Sequence, residues 1–286
     1  MNKVKYLADC IKKNTNSKHF VCPSCGCQAS TMVSRKYLFT TLRRCDHCQL
    51  LFRTPITGLE ENAAFYQEDY TEGFTTDCPT DEVLSKYLET SFHGTEKDYS
   101  SYIEILHAAG VSPGNRVFDF GCSWGYGSWQ LAQAGFDVEC YEISRPRARF
   151  AREKLGLEVY PSLANIQPGF DVFFSAHVLE HVPSVKETIE FAMALLKPKG
   201  VFIAFTPNGS TEFRKRDQES WNKLWGMVHP NFLDDRFYRS SFANHFPFIA
   251  SSPYSVEQIC QWRDHSEFDG TKVQMDGDEL LVIVRK

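Results

Sequence analysis

The sequence predicts an α/β protein with a Rossmann-like sheet that follows a small cysteine-rich module. Strand-length apolar segments and helix-length segments follow one another from about residue 113 to residue 286. A glycine-rich turn comes after the first of these strands and leads directly into a helix. Five of the ten cysteines fall between Cys22 and Cys48, which indicates a separate N-terminal unit.

Length and composition limit the classes of protein. A chain of 286 residues suggests two units, and its 42% apolar and 23% charged residues argue against disorder. The net charge of -5 argues against a nucleic-acid partner. No apolar run approaches the roughly 18 residues that span a bilayer, and the first residues lack the pattern of a secretory signal. We therefore expect a cytoplasmic protein without a membrane span, whose oligomeric state the sequence leaves open.

The N-terminal module, residues 1–57, carries two CxxC pairs. Cys22 and Cys25 form the first pair, and Cys45 and Cys48 form the second. Each pair places two thiolates on a tight turn, and four soft thiolates in tetrahedral geometry select zinc. Four protein ligands leave no open position on the metal, so we expect a structural Zn²⁺ in a zinc ribbon.

Alternatives stay open for this ribbon. Cys27 and His47 lie inside the same turns and could replace one of the four ligands. The zinc could instead be catalytic. The ribbon could also hold nucleic acid through its basic residues, which are Arg35, Lys36, Arg43 and Arg44.

Residues 58–112 predict a helical connector between the ribbon and the sheet domain, which spans residues 113–286. Thr95 is expected to cap a helix whose apolar residues repeat at helical spacing, and Gly110 is expected to end that helix.

The most informative stretch is the turn that follows the first strand of the sheet domain. Gly121 and Gly125 let the backbone approach a ligand, and the next helix offers free N–H groups at its N-terminus. Asp119 would repel a pyrophosphate, but it suits a ligand with a cationic amino-acid end. Glu142 ends the next strand about 20 residues later, where an acid accepts hydrogen bonds from a ribose diol. Together these residues indicate a nucleoside with a positive charge and no phosphate, which S-adenosylmethionine fits.

The stretch from about Asn115 to Lys286 resembles the class I S-adenosylmethionine-dependent methyltransferases, whose first motif is acid-x-Gly-x-Gly-x-Gly. Ser123 stands at the middle glycine. FDVFFSAHVLEHV resembles the fourth-strand motif of that family, and LLKPKGVFIAFTPN resembles its helix, turn and fifth strand. ELLVIVRK resembles its closing antiparallel strand. The resemblance implies a mostly parallel sheet of seven strands with an antiparallel strand at the end.

The whole chain also resembles a subgroup that has a cysteine-rich N-terminal ribbon. Several of its members methylate sugars attached to nucleotides, or serve surface-polysaccharide and natural-product pathways. The resemblance implies that Tyr66 and Tyr70, in the tyrosine-rich part of the connector, close over the cofactor. It further implies that residues after the strands line the cofactor, namely Asp119, Gly121, Cys122, Ser123, Gly125, Glu142, Ile143, Ser175, Ala176 and His177.

Transfer of a methyl group to a hydroxyl is helped by a base that removes the hydroxyl proton. The candidates are Glu180 and His181, in the sequence LEHV, and His229, which follows the fifth strand. His229 falls in residues 208–245, here called the lid, where this fold inserts its substrate-covering element. Each of the three could instead have a structural role. The lid also offers side chains that could contact a substrate or pack internally, namely Asn208, Trp221, Trp225 and Tyr238.

The leading hypothesis is methyl transfer from S-adenosylmethionine to a small carbohydrate-type acceptor, such as a nucleotide sugar or a polysaccharide or natural-product intermediate. One alternative is an RNA methyltransferase that uses the ribbon as a grip, against which the acidic balance argues. Another is a nicotinamide-dependent oxidoreductase with a structural zinc, against which Asp119 and the missing GxGxxG spacing argue. A third is a catalytically silent binding module. The sequence leaves open whether the acceptor atom is oxygen, nitrogen or carbon.

Overall fold

The computed structural model describes residues 9–56, 77–264, 270 and 273–286. Tyr66 and Tyr70, predicted to cover the cofactor, lie outside the described residues. Among the helices of the described residues, none has the length and apolar character needed to cross a membrane.

The N-terminal module begins with a helical segment at residues 9–13 and a short 3-10 turn, Ser17–Phe20. Three antiparallel strands follow, which are β1 (Ser30–Lys36), β2 (Thr40–Cys45) and β3 (Leu51–Thr54). The first CxxC turn precedes β1, and the second lies between β2 and β3. This arrangement brings the two turns to the same end of the module.

The main sheet has seven strands in the order β10-β11-β8-β7-β4-β5-β6. Their bounds are β4 (Arg116–Phe120), β5 (Asp137–Tyr141), β6 (Glu158–Tyr160), β7 (Phe170–Ala176), β8 (Leu196–Pro207), β10 (Phe248–Ser251) and β11 (Glu279–Arg285). Strands β4 to β8 pair in parallel, whereas β11 is antiparallel to both of its neighbours. The predicted Rossmann-like sheet of seven strands with an antiparallel final strand is confirmed.

Helices connect these strands and cover the sheet. They are α1 (Asp81–Glu89), α2 (Ser100–Ala108), α3 (Tyr126–Gln133), α4 (Arg145–Leu155), α5 (Val185–Leu195), α6 (Thr211–Arg216), α7 (Gln218–Lys223), α8 (Asp235–Ser241) and α9 (Val256–Arg263). A 3-10 turn, Leu163–Asn165, precedes β7.

Helix α2 begins later than the sequence predicts. The Thr95 hydroxyl donates to the Phe92 carbonyl instead of capping a helix. The Asp98 carboxylate accepts from the backbone N–H groups of Gly94 and Ser100, at 2.9 Å each. These bonds hold residues 94–98 in a turn, so the helix starts only at Ser100.

Both faces of the main sheet are buried. Phe173 and Phe202 lie in the core on one face, and their neighbours Phe174 and Ile203 lie in the core on the other. Because helices cover both faces of this parallel sheet, side chains that point to either face must be apolar. This explains the uninterrupted apolar run of β7.

The ribbon joins the sheet domain through a strand of the lid. This strand, β9 (Asn231–Phe232), pairs antiparallel with β3 and is the fourth strand of the ribbon sheet. Leu50 and Phe52 of the ribbon belong to the same buried core as Phe237 of α8. A module of this size has little core of its own, and here it shares one with the lid.

Candidate active site

The loop 121–125, between β4 and α3, has the backbone that its glycines allow. Gly121 and Gly125 adopt φ angles of +90° and +92°. A Cβ atom at Gly121 would lie 2.4 Å from Val178, and one at Gly125 would lie 2.6 Å from Leu157. Ser123, at the middle glycine of the family motif, has a left-handed φ of 53°. The loop therefore needs glycine at both ends. Ser123 adopts the left-handed backbone conformation that glycine would adopt at this position.

Glu142 follows β5 and points at this loop. Its carboxylate accepts from the backbone N–H of Ser123 at 3.0 Å and from that of Ser144 at 2.7 Å. Burial raises the pKa of Glu142, and the two N–H groups act in the opposite direction. A carboxylate held by two donors still has free lone pairs, with which it can accept the hydroxyls of a ribose.

Asp119 lies in β4, next to the loop, and is buried. The Ser128 hydroxyl donates to its carboxylate at 2.5 Å. Burial raises the pKa of Asp119 to about 7, against the effect of that hydrogen bond. Because burial without a cation disfavours the charge, this carboxylate suits a ligand with an ammonium group.

The other predicted cofactor residues surround the carboxyl ends of β4, β5 and β7. Cys122 is buried, Ile143 is 40% exposed and Ala176 is half-buried. The hydroxyls of Ser123 and Ser175 are buried and have no hydrogen-bond partner within the part of the chain that the structure describes. These two unpartnered hydroxyls fit a polar ligand between the strands, since buried polar groups are normally bonded.

His177 belongs to a polar network that the sequence did not predict. Its Nε2 lies 2.6 Å from Glu279, and the same carboxylate accepts from Tyr102 and Tyr254 at 2.7 Å each. Partial burial disfavours the charged ring, but contacts with Glu180 and Glu279 raise the pKa of His177 to about 10. Glu279 is the first residue of β11 and lies about a hundred residues after His177 in the chain. Its one signal in the sequence is that an acidic residue precedes an apolar strand.

The three predicted base candidates come together. One ligand atom each of Glu180, His181 and His229 lie within 4.8 Å of one another, and we call them the Glu–His–His cluster. Burial opposes the charge of Glu180, but the nearby imidazoles, His177 first, lower the pKa of its carboxyl to about 2. Burial lowers the pKa of His181 to about 4, so this ring is neutral at pH 7.

Strand β9 connects the cluster to the ribbon. The Asn231 N–H donates to the Glu180 carbonyl at 3.1 Å, and its side-chain amide donates to the Val182 carbonyl at 2.7 Å. Arg53 of β3 donates its N–H to the Pro230 carbonyl at 2.7 Å. The loop after β7 is thus bonded to the lid, and the lid is bonded to the ribbon.

The lid side chains predicted to contact substrate expose no surface in this structure. The Asn208 amide donates to the carbonyls of Met275 and Gly277, and its oxygen accepts from Ser210. Trp221 and Trp225 are each 1% exposed, in a core with residues of β2, β3 and β9. Tyr238 is fully buried as well. For Trp221 and Trp225 this burial favours the packing role, because β9 holds the lid against the ribbon.

The four predicted cysteine ligands also come together. The sulfur atoms of Cys22, Cys25, Cys45 and Cys48 lie within 4.8 Å of one another. Two of the S–S separations are 3.5 and 3.6 Å, near the roughly 3.8 Å that a tetrahedral zinc with 2.3 Å bonds requires. Cys27 bonds the Ala29 carbonyl, and His47 is exposed. The four thiols therefore fit Zn²⁺ without either alternative ligand.

A family model described as a methyltransferase domain matches residues 94–262, more than half of the chain. The matched region includes the loop 121–125, Glu142 and the whole Glu–His–His cluster. This match argues against the alternative of a nicotinamide-dependent oxidoreductase.

Two relatives carry names of the same class. The ubiquinone biosynthesis O-methyltransferase of Bordetella avium (strain 197N) is 34% identical over 114 residues, which cover 36% of this chain and 47% of the relative. A probable S-adenosylmethionine-dependent methyltransferase of Mycolicibacterium smegmatis is 28% identical over 109 residues, which cover 36% of this chain and 42% of the relative. The chain spans somewhat less than half the length of the curated relatives it matches.

A solved structure shares the fold. The geranyl diphosphate C-methyltransferase from Streptomyces coelicolor A3(2), crystallised with Mg²⁺, geranyl diphosphate and S-adenosyl-L-homocysteine, has a TM-score of 0.52. It is 16% identical, and the match covers 79% of this chain and 96% of that one. At this identity the likeness shows the fold alone.

Proposed function

Because this chain belongs to the family of methyltransferase domains, we propose that it transfers a methyl group from S-adenosylmethionine to a hydroxyl oxygen of a small acceptor. The family membership confirms the predicted enzyme class, an S-adenosylmethionine-dependent methyltransferase. The observation that carries the proposal is the meeting of Glu180, His181 and His229 beside the strand ends that carry the predicted cofactor residues.

The residues present fit the cofactor. Glu142 would accept the ribose hydroxyls, Asp119 would face the ammonium group, and the unpartnered hydroxyls of Ser123 and Ser175 would bond polar atoms of the ligand. When bound, S-adenosylmethionine supplies an electrophilic methyl group on a sulfonium. The chain itself contributes orientation and the exclusion of water.

The acceptor hydroxyl needs a nearby base that takes its proton. His229 Nδ1 is bonded to the Leu224 carbonyl at 2.7 Å, and His181 Nδ1 is bonded to the Val228 carbonyl at 2.8 Å. The His229 ring donates that N–H, so its Nε2 is the nitrogen that can take a proton. We assign proton removal first to His229: its Nε2 takes the hydroxyl proton as the carbon–oxygen bond forms and the carbon–sulfur bond breaks.

Two observations support the class of acceptor that we propose. The name of the Bordetella avium relative favours oxygen as the methylated atom. The ribbon and its resemblance to sugar-modifying methyltransferases favour a carbohydrate-type acceptor, such as a nucleotide sugar, in the cytoplasm. The four cysteines of the two CxxC pairs would hold a structural Zn²⁺ that keeps the ribbon folded.

The test is a labelling experiment with the full, zinc-replete chain. Methyl-labelled S-adenosylmethionine is incubated with nucleotide sugars, with catechol-type phenols and with total RNA in separate reactions. Label on an oxygen of a small molecule supports the proposal, and the labelled pool identifies the acceptor class. Label in RNA alone would overturn it.

The His229→Ala variant tests the assigned base. We expect turnover to fall roughly 100-fold or more with unchanged affinity for S-adenosylhomocysteine, since general bases contribute about 10² to 10⁴ in rate. His245→Ala is the matched control, because His245 is exposed and lies outside the cluster. Equal turnover in both variants would remove His229 from the mechanism.

A further inference from the structure

The ribbon exposes a group of apolar side chains at one end of its sheet. Tyr37, Leu38 and Phe39 join β1 to β2, and their side chains are 70%, 76% and 37% exposed. The Asn14 amide donates to the Phe39 carbonyl at 2.9 Å, which holds the N-terminal helical segment, with the exposed Ile11, beside them. We call Ile11, Tyr37, Leu38 and Phe39 the ribbon tip. Single exposed apolar residues are ordinary, but an adjacent group of them marks an interaction site.

The backbone of the ribbon tip is also unfavourable. Tyr37 and Leu38 adopt φ angles of 52° and 63°, in the left-handed region. Glycine and asparagine enter this region at little cost, whereas a bulky side chain there is uncommon and strained. An apolar side chain in water and a left-handed backbone therefore coincide at the same two residues. Because strain of this kind concentrates at functional sites, a partner explains the ribbon tip better than folding does.

The chain around the ribbon tip carries positive charge. From residue 10 to residue 45 the sequence has no Asp or Glu, although the whole chain has 36 acidic residues and a net charge of -5. Lys12 and Arg35, close to the ribbon tip in the sequence, are exposed. Several basic residues of this stretch form no ion pair with an acid among the described residues, namely Lys12, Lys18, Arg35 and Arg43. The ribbon tip is thus complementary to an anionic surface.

The cysteine cluster does not cancel this charge. Cys45 pairs with Ser30 at the opposite end of β1 from the ribbon tip. At about 3.3 Å per residue, that end lies roughly 20 Å away, which is more than a Debye length at physiological salt.

We propose that the ribbon tip inserts into the headgroup region of a membrane that contains anionic lipids. Apolar side chains such as Tyr37, Leu38 and Phe39 bind at the boundary between headgroups and acyl chains. Neighbouring Lys and Arg side chains are attracted by the negative surface potential of such a membrane. Their long apolar stems let the charged ends stay among the phosphates while the ribbon tip lies deeper.

Other partners fit this surface less well. A stable protein interface buries about 800 Å² on each partner, which is more than four side chains supply. Nucleic-acid bases stack on aromatic rings, and Ile11 and Leu38 offer none. Strand β1 is at the edge of the ribbon sheet, but its ladder is irregular between Met32 and Ser34, which disfavours pairing with a peptide strand.

The ribbon tip lies next to the part of the lid that leads to His229. Lys36 precedes the tip, donates to the Trp225 carbonyl, and places its Nζ 4.2 Å from the centre of the Trp225 ring. The Gly226 N–H in turn donates to the His229 carbonyl at 3.2 Å. The bound chain would therefore take its acceptor at the membrane surface. This consequence rests on the proposed function, whereas membrane binding itself does not.

The test is sedimentation of the full, zinc-replete chain with vesicles. The vesicles are made of phosphatidylcholine, with or without about 30% phosphatidylglycerol as the anionic lipid. We expect the chain to bind the anionic vesicles, and we expect binding to weaken roughly tenfold or more when salt rises from about 0.05 M to about 0.5 M, because salt screens the attraction.

Variants separate the apolar and the basic contributions. The double variant Tyr37→Asn and Leu38→Gly removes two apolar side chains and relieves the left-handed backbone. It should fold at least as stably as the wild type and bind anionic vesicles roughly tenfold or more weakly. The double variant Lys12→Gln and Arg35→Gln should lose most of the preference for anionic vesicles. Val83→Ser is the matched control, because Val83 is an exposed apolar residue of α1, outside the ribbon. Denaturant unfolding checks the fold of each protein.

Three results would overturn the inference. The first is a wild-type chain that sediments with neither kind of vesicle. The second is equal vesicle binding by the wild type and the folded Tyr37→Asn and Leu38→Gly variant. The third is that this variant loses a dimer or RNA binding instead of vesicle binding. Vesicle binding by a chain that methylates no acceptor would keep the membrane surface and refute the proposed function. Methyl transfer without vesicle binding would do the reverse.

Discussion

The two halves of the candidate active site are built in different ways. The cofactor half consists of the loop 121–125 and Glu142, which lie on adjacent strands close together in the chain. The acceptor half consists of the Glu–His–His cluster, whose members come from the loop after β7 and from the lid. Strand β9 holds that lid against the ribbon. The cofactor half should therefore survive changes in the ribbon that disable the acceptor half.

Removing the Zn²⁺ proposed for the ribbon tests this difference most strongly. Zinc supplies folding free energy to small modules, so a chelator or the Cys45→Ser variant should detach β3 from β9 and displace His229. We expect turnover to fall roughly 100-fold or more, since a small misplacement of catalytic groups costs about that factor. S-adenosylhomocysteine affinity, measured by calorimetry, should change less than threefold (about 0.6 kcal/mol). Parallel loss of affinity and turnover would show that the halves are not independent.

The buried ion pair between ribbon and lid is the next test. Arg44 donates to Asp234 at 2.6 Å, and Asp234 also caps α8 through the Phe237 N–H. The Arg44→Met variant leaves a buried carboxylate without its cation, which should lower the free energy of unfolding by about 3 kcal/mol. Adding Asp234→Asn removes the charge and keeps a good cap, so the double variant should regain most of that loss. Denaturant unfolding measures all three proteins, and a double variant no more stable than Arg44→Met would contradict the assignment.

Replacing Glu142 should produce the opposite pattern to the ribbon variants. Glu142→Ala removes the proposed acceptor of the ribose hydroxyls and frees the N–H groups of Ser123 and Ser144. We expect affinity for S-adenosylhomocysteine to fall roughly 10- to 100-fold, because hydrogen bonds to charged groups contribute about 1.5–3 kcal/mol. Turnover at saturating S-adenosylmethionine should fall by less. A loss of turnover larger than the loss of affinity would indicate that the halves are coupled.

Asp119 gives the smallest expected effect, and it depends on pH. Its pKa rises from an ordinary 3.8 to about 7 on burial, so the folded chain keeps a proton that the unfolded chain has released within this window. Asp119 therefore makes the free energy of unfolding fall as pH rises from about 4 to 7. The Asp119→Asn variant should lack this dependence and be more stable than the wild type at pH 8, measured without ligand. It should also bind S-adenosylhomocysteine more weakly, and a variant with the same pH dependence as the wild type would refute the assignment.

Local patterns in the sequence predicted their structures well. The glycines of the loop 121–125 adopt the positive φ angles that such a turn requires. The two CxxC turns bring their four sulfur atoms together. In each case the groups that interact are close in the chain or occupy a turn with a known geometry, so spacing alone carries the information.

Contacts between segments that are distant in the chain could not be predicted from these local patterns. The sequence left open whether Trp221 and Trp225 contact a ligand or pack internally, and in the structure they form a core with the ribbon because β9 pairs with β3. Asn208 looked like a cleft residue, but its amide bonds the backbone of residues 275 and 277. An aromatic ring or an amide serves packing and recognition equally well, so its neighbours decide which role it has.

Local sequence patterns were enough to predict the parallel sheet, the glycine loop beside two acids, the cysteine cluster and the three candidate bases. Periodicity, turn chemistry and ligand spacing act over a few residues, which is why they can be read without coordinates. Only the folded chain shows that Glu180, His181 and His229 lie together, that Glu279 engages His177, and that the ribbon supports the lid. Those relations depend on which strands pair, and a strand of the lid pairs with the ribbon only after the chain has folded around a shared core.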